Sequence, residues 1–180
     1  GSTARRKGGQ GGFVEDLAHE YRIPLINLID GAGGAVTSLK RRGYAPMPGT
    51  DDFGRSVELL GEVPVITSVM GTAAGGPAAR AMLAHFSMMV RGNSQVFAAG
   101  PAVVERALGE TLTSEELGGA EVAVDAAGAV DNAYGSEADC FAAARRFLSY
   151  LPQNLWSAPP YRETDDPVDR REEKLAALVP

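Results

Sequence analysis

"SVMGTAAGGPAARAML", residues 68–83, is the stretch whose reading decides the fold. An apolar run ends at Gly71. Small residues follow, then two adjacent glycines and a proline, and then spacing that suits a helix. The stretch holds no His and no carboxylate, and the chain has no G-x-S-x-G nucleophile elbow. A strand-to-helix turn stripped in this way offers its backbone N–H groups as its chemistry. Glycine lets a backbone approach a ligand closely, which suits an oxyanion such as a thioester enolate or a tetrahedral intermediate. Tight turning and close helix–strand packing account for the same residues equally well.

A second turn of this kind lies upstream, in "LIDGAGGAV" (28–36), after the apolar run "IPLINLID" (23–30). In an open α/β sheet, ligands sit at the C-terminal ends of the strands, so two such turns side by side would face one ligand. Both turns match nucleotide loops poorly. Gly71-x4-Gly76 is followed by Pro77-Ala78 where a phosphate loop needs Lys and Ser or Thr. The G-x-G of Gly31 and Gly33 is followed by Val36 where a dinucleotide fingerprint needs its third glycine.

Around these turns the pattern predicts short buried strands alternating with helices. A helix is expected from Phe13 to Tyr21, with Phe13, Leu17 and Tyr21 on one face. Strands are expected at 23–30, 63–70, 85–90, 94–99 and 121–124, the third and fourth joined by a hairpin-like "RGN" turn. Residues 39–52 read as a loop, 53–61 as a short helix and 77–84 as another. A helix opening at Pro101 ends near Leu108 and Gly109. Thr113 and Glu116 form a capping box before a short helix that Gly118-Gly119 stops. Ser136 and Asp139 precede a long helix with Phe141, Ala144, Leu148 and Leu151 on one face. The fold class expected is α/β with a largely parallel sheet.

Composition bounds the rest. The chain has 180 residues, 44% hydrophobic and 22% charged, with 22 glycines, enough for one normal core. A net charge of −6 argues against nucleic acid and against an anionic membrane surface. One cysteine, Cys140, forbids an intramolecular disulfide, and two histidines make a His/Cys metal site a poor expectation. The chain fits a reducing, cytoplasmic compartment, with no transmembrane run and no apolar signal core at its start. Residues 1–12 read as a flexible, basic, Gly-rich segment, 13–151 as the folded domain, and 152–180 as a Pro-rich charged linker or arm.

The remaining polar candidates have plain readings beside the functional ones. His85 opens an apolar strand and reads as structural, and His19 reads as solvated. Asp30 at a strand end suits catalysis or an Asx-type turn. Cys140 reads as a small core residue, and Met82, Met88 and Met89 as core. Arg41 and Arg42 suit a phosphate or an exposed loop.

Taken in order, "LINLIDGAGGAV", "VPVITSVMGTAAGGPAA", "VFAAGPAVVERALGETLTSEELGGAEV", "FLSYLPQN" and "DPVDRREEKLAALVP" resemble the carboxyltransferase (β) subunits of biotin-dependent acyl-CoA carboxylases, the propionyl-CoA and methylcrotonyl-CoA group. The resemblance runs from about residue 13 to the end. It implies a crotonase-like (ClpP/crotonase superfamily) domain with repeated β-β-α units. It implies the acyl-CoA side of a centre that transfers a carboxyl group from N-carboxybiotin to the α carbon of an acyl-CoA. The oxyanion hole then maps onto Gly75 and Gly76, and the acyl-CoA site onto Asp30, Gly31, Ala32, Gly33, Gly34, Ala74, Gly100 and Pro101. No protein nucleophile is needed, which suits the bare turn. Biotin would come on a partner, the biotin carboxylase and biotin carrier subunit. A second crotonase-like carboxyltransferase domain would complete the centre, in a homo- or hetero-oligomer. Ala35 and Pro77 depart from the family pattern, and Pro77 brings no N–H. A non-catalytic acyl-CoA-binding or assembly module, and an acyl-CoA decarboxylase subunit of the same superfamily, are the alternatives.

Overall fold

The computed structural model describes residues 12–33, 40–41, 43 and 51–178. Helix α1 (Phe13–Tyr21) leads into strand β1 (Leu25–Gly31). Helix α2 (Asp51–Leu60) precedes β2 (Val65–Ala74), and α3 (Gly76–Met82) follows it directly. Strands β3 (Phe86–Val90) and β4 (Gln95–Phe97) come next, then α4 (Pro101–Leu108) and α5 (Ser114–Gly118). A π-helical turn (Glu121–Ala126), β5 (Asn132–Tyr134) and α6 (Glu137–Leu148) complete the domain.

Among the described residues the sheet has five strands in the order β1-β2-β3-β5, with β4 pairing separately to β2, and every pairing there is parallel. Strand β2 is the axis. Its first half, Ile66 to Val69, lies beside Phe86 to Met89 of β3, and its last residues, Thr72 to Ala74, lie beside Gln95 to Phe97 of β4. Along its other edge β1 runs in register, Leu25 opposite Val65 and Gly31 opposite Ala73, with a bulge between Ile29 and Gly31.

The two faces of the sheet bury different sets, as a period of two requires. On one face Ile29, Val69, Ala73 and Met89 pack with Ala78 and Ala81 of α3 and with Ala120, Ala123 and Val130. Leu25 and Val65, on that same face, pack with Ala18 of α1 and Leu59 of α2. On the opposite face Ile66, Met88 and Val90 pack on Cys140 and Ala144 of α6. There the Phe86 and Phe147 rings stack with centroids 4.7 Å apart.

Several expectations are corrected. "EVAV" (121–124) is helical: Ala120 and Ala123 are both buried and lie three positions apart, a helical spacing, while Val122 is 37% exposed. The edge position beside β3 is taken by Asn132–Tyr134, which the sequence reading missed. The "RGN" turn makes no hairpin. Ser94 is fully buried, its hydroxyl accepting from Val90 N–H at 3.1 Å and donating to Val69 O at 2.6 Å. That anchor sends β4 back alongside β2. Strand β2 runs on to Ala74, because Thr72 to Ala74 have ladder partners in β4, so the turn shrinks to Gly75.

On α1 the buried residues are Glu15 and Ala18, while Phe13 and Tyr21 are more than half exposed. On α6 the buried positions are Cys140 and Ala144, and Phe141 is 36% exposed. Met82 is 40% exposed, whereas Met88 and Met89 are fully buried. Within the expected loop 39–52, Lys40 and Arg41 are helical and α2 already begins at Asp51; 39, 42 and 44–50 lie outside the described residues. The expected capping box is present at Thr113 and Glu116, and Ser136 caps α6 by accepting from Asp139 N–H.

Candidate functional site

The two glycine turns lie side by side at the C-terminal end of the sheet. Parallel pairing puts Gly31 opposite Ala73, and a Cβ built on Gly33 would stand 3.3 Å from Ala74 O. Asp30, an exposed residue, reaches from β1 across to β2: a Cβ on Gly71 would stand 2.8 Å from Asp30 Oδ1. Gly71 is bare because that carboxylate lies over it.

At Gly75 the chain leaves the sheet with φ +63° and ψ −121°, a conformation that residues with a Cβ rarely adopt. Its N–H donates to Phe97 O at 3.2 Å, and its carbonyl accepts from Ala79 N–H at 2.9 Å. Gly76 and Ala78 stand at the first and third helical positions, where an amide has no intrahelical acceptor. Ala78 is buried and Pro77 has no N–H, which leaves the half-buried Gly76 as the amide at the mouth of the turn.

The third side is built by β4 and the start of α4. Thr72 Oγ1 donates to Gln95 Oε1 at 2.8 Å, pinning β4 to the end of β2. Gly100, with φ −74° and ψ 172°, caps α4, and Pro101 opens it. A Cβ on Gly100 would meet the Phe97 ring at 3.5 Å, so Phe97 joins this segment to Gly75.

Asp30, Gly31, Gly33, Ala74, Gly75, Gly76, Gly100 and Pro101 are thus drawn toward one end of the sheet, with the exposed Ala32 between the first of them. Gly34, Ala35 and Arg42 lie outside the described residues. The sequence reading missed Phe97, which acts through its carbonyl; no side-chain pattern announces such a role.

The other candidates lie elsewhere. His85 Nδ1 accepts from Val65 N–H at 3.0 Å, a backbone-holding contact. His19 is not simply solvated; it pairs with Glu62, which Arg22 also contacts. Those hydrogen bonds, Arg22 first and His19 second, hold the Glu62 carboxyl at about 2. Burial pushes the Cys140 thiol up, away from the thiolate a nucleophile requires. Among the described residues no cluster of three His, Cys, Asp or Glu is placed to hold a metal, and no helix is long and apolar enough to cross a membrane.

Residues 2–180 match the carboxyl transferase domain family. The chain is 36% identical over 168 residues to the propionyl-CoA carboxylase carboxyltransferase subunit of Haloferax mediterranei, a match covering 93% of this chain and 32% of that subunit. It is 34% identical over 171 residues to the methylmalonyl-CoA decarboxylase subunit alpha of Veillonella parvula, covering 93% of this chain and 32% of the relative. The chain therefore spans about a third of the length of these relatives. A solved transcarboxylase 12S, with hydrolysed methylmalonyl-coenzyme A bound, superposes with a TM-score of 0.71 at 24% identity, over 95% of this chain and 34% of that one. That likeness is one of fold, a mixed α/β architecture on a parallel sheet, and the match along nearly the whole sequence gives the lineage: the chain belongs to the carboxyl transferase domain family.

Proposed function

We propose that this chain is the acyl-CoA side of a carboxyltransferase centre, one that moves a carboxyl group between N-carboxybiotin and the α carbon of a short acyl-CoA of the propionyl or methylcrotonyl type. The observation that carries the reading is the adjacency of the two bare turns, Gly31 opposite Ala73 and Gly33 against Ala74. The Gly76 amide is the donor for the thioester oxygen. Gly75 has a different task from the one its sequence suggests: with its own N–H engaged by Phe97 O, it supplies the positive φ that swings Gly76 outward. As the α-proton leaves, negative charge grows on the thioester oxygen, and a fixed donor there stabilises the enolate more than the ground state.

A biotin carried by a partner would supply the carboxyl group and, once decarboxylated, the base for the α-proton. The donor set suits a group that brings its own base. Among the described residues the turns are lined by backbone, and the nearby Asp30 carboxylate lies over Gly71. Asp30, Gly31, Ala32, Gly33, Ala74, Gly100 and Pro101 line the acyl-CoA path in this reading.

A crotonase-like repeat of β-β-α units belongs to the same proposal; among the described elements β3–β4–α4 has that order. So do a second carboxyltransferase domain, a biotin carboxylase and carrier partner, and an oligomer. Residues 152–178, nearly all exposed, are the arm that leads toward that second domain. The test is carboxyl transfer from N-carboxybiotin to propionyl-CoA with the complementary half present and absent. Turnover only with that half supports the reading, and robust turnover by this chain alone refutes it. The similarity to a methylmalonyl-CoA decarboxylase subunit favours one second reading, the same oxyanion site run in the direction of CO2 release. Decarboxylation of methylmalonyl-CoA without net transfer to propionyl-CoA would select it.

A further inference from the structure

Helix α1 leaves Phe13, Val14 and Tyr21 more than half exposed and buries a carboxylate. Glu15 is 8% exposed, and so is Ser56 of α2. Glu15 Oε1 accepts from Ser56 Oγ at 2.7 Å and from an Arg80 terminal nitrogen at 2.8 Å, and that nitrogen also donates to Ser56 Oγ at 3.0 Å. The Arg80 guanidinium carbon lies 5.3 Å from the centroid of the Phe53 ring. Three helices are tied at one point, beside Leu25 and Val65 of the sheet.

Net stability is a poor reason for such a cluster: Glu15 is desolvated while the Arg80 side chain stays 34% exposed, so the attraction is partly screened and does not clearly exceed the cost of burying the carboxylate. What an ion pair with a planar, forked donor gives is geometry. Helix α3 needs it. It is seven residues long, too short to hold a conformation alone, and Arg80 lies one turn beyond Gly76 on it.

We infer that Arg80, with Glu15 and Ser56, is a positioning residue that holds α3 so that the Gly76 amide points at the developing oxyanion. The inference rests on the oxyanion reading given above. None of the three touches substrate. Their effect passes through the angle of α3, and a small misplacement of a donor costs far more in rate than in substrate binding.

The test uses the complete carboxyltransferase with its complementary half, comparing wild type with Arg80→Met, Arg80→Lys, Ser56→Ala and Gly76→Val. Arg80→Met is expected to lower kcat by roughly tenfold to a hundredfold, with the KM for propionyl-CoA held within about twofold. Arg80→Lys, which keeps the charge but loses the fork, should fall between the two. Ser56→Ala, the mildest change, should lower kcat severalfold while melting as a single folded species, which keeps the question answerable if Arg80→Met does not fold. A lower melting temperature with unchanged kcat in Ser56→Ala and Arg80→Lys overturns the inference, as does a rise in KM at constant kcat. Gly76→Val separates the two layers. If it is inactive while the Arg80 and Ser56 variants keep full kcat, positioning alone is wrong. If it is active, the oxyanion reading itself is wrong and the inference falls with it.

Discussion

The two ends of α3 are built from opposite materials. At its start, Gly75 and Gly76 present backbone and nothing else. One turn later Arg80 is held by Glu15 and Ser56 and lies over Phe53, all by side chains. In the proposed reading the bare end supplies an amide in the right place, with glycine required for the positive φ that puts it there, and the laden end brings no chemistry, only a place. A donor that works by aim is as good as the structure that fixes its aim, and in that reading the two duties fall to opposite ends of a single short helix.

That division can be broken most severely at the bare end. Gly76→Val puts a branched side chain where the thioester oxygen would sit and turns the amide. Losing one oxyanion donor costs about 2.7–4 kcal/mol in the transition state, so kcat should fall on the order of a hundredfold or more. A steady-state carboxyl-transfer assay reads it, and the circular dichroism spectrum should stay that of the folded wild type.

Gly71→Ala probes the contact between the two turns. Its Cβ would stand 2.8 Å from Asp30 Oδ1, so the carboxylate must move. The carboxylate is the far end of an exposed, flexible side chain, so the cost falls below the roughly 1–3 kcal/mol of overpacking a core. Urea unfolding should show a lower midpoint, and an unchanged midpoint would mean that Asp30 yields freely.

His85→Ala sharpens the comparison from outside the site. It leaves Val65 N–H without its side-chain acceptor, a loss of about 1 kcal/mol in stability. The rate should not change, because no protein base is assigned to this residue. A fall in kcat at full folding would place a base where none is expected.

The smallest effect is at Glu62. Its carboxyl is held at about 2 against an ordinary value of 4.5, first by Arg22 and then by His19. A depressed carboxyl adds stability above its unfolded value, and that share is lost as pH falls from about 4.5 toward 2. Glu62→Gln should therefore flatten the acid side of a melting-temperature profile across that window and leave kcat at neutral pH alone. The effect is small because the side chain is 29% exposed.

The same contrast explains what could be read from residues alone. Glycine, alanine and proline cluster where side chains are excluded, so the bare end of α3 and both turns are visible in "LIDGAGGAV" and "VMGTAAGGPAA". The capping box at Thr113 and Glu116 is equally plain, since its partners are three positions apart. The laden end is invisible. Glu15 and Ser56 are 41 positions apart, Ser56 and Arg80 are 24 apart, and periodicity assigned α1 the apolar face that the structure turns outward. "EVAV" failed for a related reason. Alternation over four residues fits a strand, and only the packing of Ala120 and Ala123 against the sheet decides for a helical turn. Strand β5 has three residues and depends on the Asp131 carboxylate, which accepts from Ser87 N–H and Oγ, both at 2.7 Å.

The central claim is that an amide hydrogen, and no side chain, holds the developing oxygen. Replacing the single N–H of Gly76 by an ester oxygen, through semisynthesis with glycolic acid at that position, removes the donor and adds no bulk. Carboxyl transfer from N-carboxybiotin to propionyl-CoA is then measured in the enzyme carrying its complementary half. The account predicts a kcat lower by about a hundredfold with the KM for propionyl-CoA nearly unchanged. An ester-linked enzyme that turns over at the wild-type rate would contradict it.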